Sequence, residues 1–325
     1  MIKAAEAIAT MLLLFGAGAL LYKLGWVTDQ VMEFIAKFVV KFSVPCMMVW
    51  NLTNLFTREE LLHTLPILPL PLLMLLALYG LSWGFAALCR IPCRQRGVFT
   101  LMAVVSNTLF IGFPVSLIVF GDASVGAVTL AFLASTIICW TIGVSGLSHD
   151  ARCIAVQDGT EPVAKYSIRK RIKILATTPP LIALVVGVAF AAFGWQLPVP
   201  ANNALSYVGG MTTPLSMLYI GMFLATISPR DMIPGKASWA VFFCRFVLSP
   251  VLMYLFIVVG RRLGIAVDGL SSDVLVVQMS MPVMAQAVIL ATDMGCDATF
   301  AARTTAASNI LFLLTFPITL LLLGV

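Results

Sequence analysis

The chain has 325 residues, of which 61% are hydrophobic and only 10% are charged. In a soluble domain about a quarter of the residues are charged, so this composition excludes an ordinary water-soluble fold. The net charge of +6 does not indicate nucleic-acid binding, because most of the cations lie in polar segments between long apolar ones. We therefore expect an all-α polytopic membrane protein whose spans leave no room for a separate soluble domain.

Ten charge-poor windows follow one another along the chain, each of about the 20 residues that cross a bilayer as a helix. The long apolar stretch 174–229 contains two of them, because Gly194, Pro198 and Pro200 divide it. The predicted spans are 5–23, 32–56, 65–89, 97–120, 124–148, 172–193, 202–227, 237–260, 274–292 and 299–323.

The lysine and arginine residues are unevenly distributed between the two sides that these spans define. Four cations fall on the side of the termini, namely Lys3, Arg58, Arg261 and Arg262. Twelve fall on the other side, namely Lys23, Arg90, Arg94, Arg96, Arg152, Lys165, Arg169, Lys170, Arg171, Lys173, Arg230 and Lys236. Because cytoplasmic loops are enriched in lysine and arginine, we expect both termini outside and the 149–171 loop in the cytoplasm. The expected location is the plasma membrane, which in a bacterium is the inner membrane.

The polar segment 149–171 separates the spans into two sets of five. Because five is an odd number, the second set enters the membrane from the opposite side, as in an inverted-topology repeat. We therefore expect a first five-helix repeat over 1–148, a cytoplasmic linker over 149–171 and a second, inverted repeat over 172–325. Val44-Pro45 and Thr213-Pro214 lie in corresponding spans, although chance similarity between apolar helices is the alternative.

The fourth span contains Ser106-Asn107-Thr108-Leu109-Phe110-Ile111-Gly112-Phe113-Pro114 near the membrane centre. Proline removes a backbone donor, and asparagine and threonine side chains can replace lost backbone bonds. Irregular backbone at this depth is tolerated only where it is buried in protein or lines an aqueous cavity. The pattern predicts a broken helix, with an ordinary proline kink as the alternative.

The ninth span offers a matching interruption at Met281-Pro282, followed by Gln286. Two helices interrupted at corresponding places in opposed repeats indicate a transporter's binding site, because the N-termini of half-helices present a positive dipole end. An anion is favoured there. The candidate binding residues in these two spans are Ser106, Asn107, Thr108, Pro114, Pro282 and Gln286.

Two cations inside predicted spans complete the candidate site, Lys41 in the second span and Arg245 in the eighth. A charge within a span is costly and by default indicates function. The alternative is that these long side chains reach the cytoplasmic headgroups, which is the interpretation for Lys37 and Arg303. Because the fourth and ninth spans contain no acidic residue, Lys41 and Arg245 would make a cavity between them electropositive.

Seven cysteines are scattered along the chain, without a CxxC spacing or a histidine cluster. We expect them to be small core residues, and we expect no disulfide, metal site or cofactor. They are Cys46, Cys89, Cys93, Cys139, Cys153, Cys244 and Cys296.

The motifs of this chain resemble those of the auxin efflux carrier family, which includes the plant PIN auxin exporters and bacterial carriers linked to malonate-like acids. The resemblance is most specific in the stretch 106–114, where Asn107-Thr108, Gly112 and Pro114 match the family pattern. It extends to Met281-Pro282, Ala291 to Asp297, Phe316-Pro317 and, more weakly, Val44-Pro45 and Thr213-Pro214.

The resemblance implies ten helices in two inverted five-helix repeats, similar to the bile-acid symporters, with a substrate carboxylate bound where the broken fourth and ninth helices cross. Carried over by position, Asn107, Pro114 and Pro282 belong to that crossing. The chain lacks the long central loop of the plant members, and Gln286 stands where many relatives have other residues. Its ninth span also lacks the acidic residue that binds sodium in the bile-acid transporters, which favours uniport or proton coupling.

The sequence therefore predicts a secondary carrier of a small organic anion, such as a mono- or dicarboxylate, that works by alternating access around the crossing. The alternative is a membrane receptor or sensor that binds a metabolite without moving it. An enzyme is not expected, because no HExxH, paired-aspartate or nucleophile–base arrangement occurs at membrane depth. The expected partners are the anion and the lipid bilayer, with no nucleic acid. A homodimer, the direction of transport and the coupling ion stay open.

Overall fold

The computed structural model of the chain describes residues 2–55, 58–159, 167–226 and 234–324. These residues are helical between short connections and form no strand apart from one isolated bridge. The helices of the first half are α1 (Ile2–Lys23), α2 (29–55), α3 (Arg58–Thr64), α4 (Leu65–Leu88), α5 (Arg96–Val104), α6 (Thr108–Phe120) and α7 (Asp122–Asp158). Those of the second half are α8 (Ile168–Thr177), α9 (Pro179–Phe193), α10 (Val199–Thr226), α11 (Lys236–Arg262), α12 (Gly269–Met279), α13 (Gln286–Asp293) and α14 (Ala298–Leu323).

The described helices have the length and the surface of membrane-spanning segments. Five of them, α4, α7, α10, α11 and α14, are long and apolar enough to cross a membrane, and shorter apolar helices lie within α1, α6 and α9. Large apolar side chains such as Leu13, Val185 and Leu314 are 74%, 69% and 66% exposed. Such a surface would be unfavourable in water and suits contact with lipid. The chain is therefore built as an all-helical integral membrane protein, as predicted.

In three of the described helices a π-helical turn ends two residues before a proline, and the helix continues through that proline. We attribute these turns to the missing proline N–H and the space that the proline ring needs, although α14 continues through Pro317 without such a turn. The three turns and their prolines are Val39–Ser43 before Pro45, Thr108–Gly112 before Pro114 and Cys244–Leu248 before Pro250. The helix thus continues through Pro114, and the break in the fourth predicted span comes from residues 105–107 instead.

The buried side chains form two clusters. One lies mainly between α4, α5, α7, α11 and α12, with Met74, Phe99 and Met253 fully buried in it. The other lies mainly between α1, α2, α6, α9 and α10, with Met48 and Met217 inside. α5 packs in the first cluster and α6 in the second, so the short connection between α5 and α6 lies between the two clusters.

Helices from the two halves of the chain pack along each other. α1 lies along the 212–226 part of α10, and the 44–55 part of α2 lies along α9. The first of these contacts requires glycine on both helices. A Cβ atom at Gly18 would overlap the carbonyl oxygen of Leu218, and one at Gly221 would overlap that of Phe15.

The predicted linker 149–171 is partly described. α7 continues to Asp158 and α8 begins at Ile168, so both flanks of the linker are helical. Residues 160–166, including Lys165, lie outside the described residues, as do 227–233, including Arg230.

Candidate functional site

The fourth and ninth predicted spans are each interrupted in the middle. α5 ends at Val104, Val105 is extended, and α6 begins at Thr108. α12 ends at Met279, and α13 begins only at Gln286. The structure therefore contains both of the helix breaks that the sequence predicts.

The two breaks contact each other through their backbones. The Asn107 N–H donates a hydrogen bond to the Pro282 carbonyl oxygen at 2.9 Å, and the Met284 N–H donates to the Val105 carbonyl oxygen at 3.4 Å. Between these bonds Ser106 forms an antiparallel bridge with Val283. Backbone groups released by the two breaks thus satisfy each other, as irregular chain inside an apolar protein requires.

Asn107 fixes the start of α6 with one end of its side chain. Its Oδ1 accepts a hydrogen bond from the Phe110 N–H at 3.3 Å, which makes Asn107 the N-cap of the helix. The residue is only 5% exposed. Its Nδ2 group has no protein partner within the described part of the chain, so two N–H donors are left for a ligand.

A cavity of about 130 Å³ lies against the crossing. Four of the predicted site residues line it, namely Ser106, Asn107, Thr108 and Gln286. The wall is completed by hydroxyl-bearing residues and by apolar side chains, among them Ser135, Thr136, Thr178, Val40, Phe132 and Met284. No charged side chain of the described residues belongs to this wall.

Two hydroxyl groups in the wall are buried without a hydrogen-bond partner among the described residues, Ser106 Oγ and Ser135 Oγ. Ser135 was missed by the sequence analysis. The signal for it was the polar pair Ser135-Thr136 in the middle of an otherwise apolar fifth span. The Thr136 hydroxyl donates to the Phe132 carbonyl oxygen at 2.8 Å, so Ser135 has the freer hydroxyl of the pair.

Arg245 lies behind the crossing and does not line the cavity. It is fully buried, and its guanidinium donates to the carbonyl oxygens of Ala103 and Val104 at 3.1 and 2.7 Å. It also donates to the Met279 carbonyl oxygen and, at 2.7 Å, to Ser249 Oγ. The carboxyl ends of helices carry unpaired carbonyl groups and partial negative charge. One cation therefore compensates the ends of both α5 and α12.

The other predicted site residues also lie outside the cavity wall. Lys41 is exposed on the π-helical turn of α2, next to Val40, which does line the cavity. Pro114 is buried inside α6. Pro282 is buried and contributes its carbonyl oxygen to the bond with Asn107.

The prediction that all cysteines are unpaired is wrong for two of them. Cys93 and Cys153 form a disulfide, with their Cα atoms 6.1 Å apart. His149 Nε2 lies 3.9 Å from each sulfur, so the sequence analysis also missed a histidine beside this pair. The residues are 60 positions apart in the chain and meet only because the turn before α5 packs on α7. Cys139 and Cys244 are buried, as expected for core residues.

Two broken helices that meet inside an apolar helical protein, next to a small cavity with a few polar groups, are the arrangement expected of a membrane transporter. The chain belongs to the membrane transport protein family, whose sequence model matches residues 3–320. This is the family of the auxin efflux carriers, so the resemblance seen in the sequence is confirmed and the protein is a carrier, not an enzyme. Its partners are accordingly a small-molecule substrate and membrane lipid.

Individual relatives are distant. An uncharacterized transporter of Methanothermobacter thermautotrophicus is 25% identical over 96% of both chains. An uncharacterized transporter of Methanocaldococcus jannaschii is 27% identical over 61% of this chain and 59% of its own length. A protein of Rhizobium meliloti named "Putative malonate transporter" is 28% identical over 41% of this chain and 39% of its own length.

Proposed function

We propose that the chain is a secondary carrier that moves a small organic anion, a mono- or dicarboxylate, by alternating access around the crossing of α5/α6 with α12/α13. The substrate would bind in the cavity beside Asn107. The observation that carries the proposal is the set of unpaired donors there, Asn107 Nδ2, Ser106 Oγ and Ser135 Oγ, without a carboxylate in the wall.

These donors favour a ligand that is rich in acceptors. Buried polar groups in proteins are almost always hydrogen-bonded, so a cavity with several unpaired donors is incomplete without a ligand or water. An ionised carboxylate accepts through both oxygens and donates nothing, and hydrogen bonds to a charged acceptor are about twice as strong as neutral ones. A carboxylate therefore fits the wall better than a cation, which could only donate.

The helix ends strengthen the preference for an anion. α6 and α13 begin beside the cavity, at Thr108 and Gln286, and the N-terminus of a helix carries partial positive charge. The negative ends of α5 and α12 are compensated by Arg245. No acidic side chain of the described residues lines the cavity to compensate the positive ends. In this proposal Arg245 acts through the backbone, while Lys41, at the exposed edge of α2, attracts the anion from solution.

The packing of the helices supports an inverted repeat of ten spans. The first span, α1, lies along the seventh, α10, and the second span, α2, lies along the sixth, α9. Exchanging the two sets of five spans converts the first of these contacts into the second. A pseudo-two-fold axis between repeats 1–148 and 172–325 requires such reciprocal pairs. The fourth and ninth spans meet at the crossing, a contact that the same exchange leaves unchanged.

The named relative supports the carboxylate class. The Rhizobium meliloti protein carries malonate in its name, and its match to this chain covers 41% of the residues. We therefore include dicarboxylates in the proposed substrate class. Plasma-membrane insertion with both termini outside completes the proposal, on the strength of the cation distribution.

Transport by reconstituted protein tests the proposal. The purified chain is placed in sealed liposomes, and uptake of labelled acetate, pyruvate, malonate and succinate is compared with uptake of neutral malonamide. We expect saturable uptake of at least one acid, loss of that uptake in Asn107→Ala and no uptake of malonamide. Thermal stabilisation of the protein by the same compounds is measured in parallel. If an acid stabilises the protein but is not taken up, the protein is a receptor or sensor. If only malonamide stabilises it, an anion is not the substrate.

A further inference from the structure

A cluster of three metal-binding side chains lies away from the cavity, between the turn that precedes α5 and the end of α7. Cys93 is on the turn, and His149 and Cys153 are four residues apart on α7, so they project from the same face of the helix. The sulfur atoms and a ring nitrogen lie within 4.8 Å of one another. The His149 side chain is 44% exposed, so the cluster is accessible from solution.

Asp150 supports the histidine in the way that carboxylates support metal ligands. His149 Nδ1 lies 3.4 Å from Asp150 Oδ1, and Nε2 lies 3.9 Å from each sulfur. The Cys153 sulfur is also 4.0 Å from Nδ1, so the ring must rotate slightly for Nε2 to face both sulfurs. Asp150 is itself held by the N–H groups of Gly97 and Val98 at 2.8 and 2.9 Å, in the first turn of α5. A carboxylate that binds the distal nitrogen of a histidine fixes its tautomer and orientation for a metal ion.

We propose that, once the Cys93–Cys153 bond is reduced, Cys93, His149 and Cys153 bind one Zn²⁺ ion through two thiolates and His149 Nε2. Thiolate and imidazole ligands together suit zinc. With bonds of about 2.3 Å to sulfur and 2.0 Å to nitrogen, a tetrahedral site needs sulfur and nitrogen about 3.5 Å apart. The 3.9 Å between His149 Nε2 and each sulfur is close to this value. The two sulfurs, bonded to each other in the oxidised protein, must separate to about 3.8 Å after reduction. The fourth position is left to water.

Zinc can bind only after a dithiol reductant has opened the Cys93–Cys153 disulfide. The reductant transfers two electrons and two protons to the disulfide, is itself oxidised to a disulfide, and leaves two thiols on the protein. The two thiols then bind Zn²⁺ as thiolates and release their two protons to solvent. Under the orientation proposed above, the cluster faces the cytoplasm, where thiols are kept reduced.

The ion would join the start of α5 to α7, and both helices also reach the crossing or the cavity beside it. Cys93 lies just before α5, and α5 ends at the carbonyl groups that Arg245 holds. Zinc would therefore fix the start of α5 against α7 in the reduced protein, as the disulfide does in the oxidised one. Its effect on stability is separable from transport, because none of the three ligands lines the cavity.

Cobalt binding tests the site without requiring transport. The purified full chain in detergent is reduced with a phosphine, which takes up the oxygen of one water molecule and becomes the phosphine oxide. The phosphine is removed, and Co²⁺ is added in the absence of oxygen. We expect one Co²⁺ per chain with a thiolate-to-metal charge-transfer absorption that Zn²⁺ abolishes. Cys93→Ser and Cys153→Ser should lose the absorption, and His149→Gln should weaken Co²⁺ binding at least 10-fold, since even a hydrogen-bonding partner of a ligand contributes about 10–100-fold. Cys89→Ser, which changes an exposed cysteine outside the cluster, is the matched control.

The parent protein supplies a comparison that does not depend on any variant folding. Its oxidised form should show no thiolate absorption with Co²⁺, and its reduced form should show it. Absence of the absorption from reduced protein whose free thiols have been counted would overturn the proposal and leave a disulfide only. Persistence of the absorption in Cys93→Ser would also overturn it, because the metal would then lie elsewhere. Either result leaves the transport proposal untouched.

Discussion

The Asn107 N–H donates a hydrogen bond to the Pro282 carbonyl oxygen at 2.9 Å, which joins the break in the fourth predicted span to the break in the ninth. The same residue caps α6 through Oδ1 and leaves Nδ2 to the cavity. Asn107 therefore connects the cavity to both broken helices. A ligand that binds Nδ2 would act directly on the joint around which we propose that the protein moves.

Substitution of Asn107 separates ligand binding from helix capping. In Asn107→Asp the carboxylate can still cap the Phe110 N–H, but both Nδ2 donors are replaced by negative charge. Hydrogen bonds to charged groups contribute about 1.5–3 kcal/mol, so we expect Asn107→Ala to weaken carboxylate affinity roughly ten- to hundredfold. Asn107→Asp should weaken it at least as much while keeping the folded yield of the parent. The measurement is substrate-dependent thermal stabilisation, and unchanged affinity in both variants would remove Asn107 from the site.

Arg245→Gln should reduce the stability of the folded protein more than its selectivity. The substitution leaves carbonyl groups of Ala103, Val104 and Met279 without their cation, and each buried unsatisfied group costs about 1–3 kcal/mol. We expect a lower melting temperature in detergent. Because Arg245 does not line the cavity, any loss of binding affinity should be the same for malonate and for a monocarboxylate of similar size.

Lys37→Gln is the control for Arg245→Gln. It removes a cation that forms an exposed ion pair with Glu33, and such solvent-screened pairs contribute little to stability. Lys41→Gln tests the hypothesis that Lys41 binds the substrate. If this variant loses affinity for malonate but not for the monocarboxylate, Lys41 belongs to the binding site. If Arg245→Gln instead melts like the parent but discriminates between the two acids, Arg245 binds the substrate and our interpretation of its contacts is wrong.

A pair of glycine substitutions tests the contact between α1 and α10. Gly18→Ala adds a Cβ atom where the Leu218 carbonyl oxygen already lies, so the helices must separate. We expect a loss of about 1–3 kcal/mol, the usual cost of overpacking, read as a lower melting temperature. Gly16→Ala, two residues away on the same helix, meets nothing within 4 Å and should match or exceed the parent. Equal melting of the two variants would show that α1 does not pack on α10 in this way.

Cysteine labelling tests the orientation in the membrane. Gln157 is exposed near the end of α7, and Asn203 is exposed near the start of α10. Because the cation distribution places the 149–171 loop in the cytoplasm, Gln157→Cys should be protected from an impermeant thiol reagent in intact cells. Asn203→Cys should be labelled under the same conditions, and a permeable reagent should label both. Labelling of Gln157→Cys alone would reverse the orientation.

Features confined to one segment of the chain could be predicted from the residues alone. Lengths of apolar segments indicated helices and the all-helical class, and the stretches 106–114 and 281–286 indicated the two breaks. These predictions depend on what a single segment can do in an apolar environment, where proline, asparagine and glycine interrupt a helix and few other residues do. Ser106, Asn107, Thr108 and Gln286 were selected in this way, and the structure brings all four to one cavity.

Which faces of the helices meet depends on the tertiary structure. It turned Arg245 toward the carbonyl ends of α5 and α12, added Ser135 to the cavity wall and paired Cys93 with Cys153. In a water-soluble helix an apolar stripe marks the inner face. In a membrane helix, lipid and protein interior are both apolar, so the residue pattern carries little information on which face is buried, and packing of small residues and polar contacts between helices determine it.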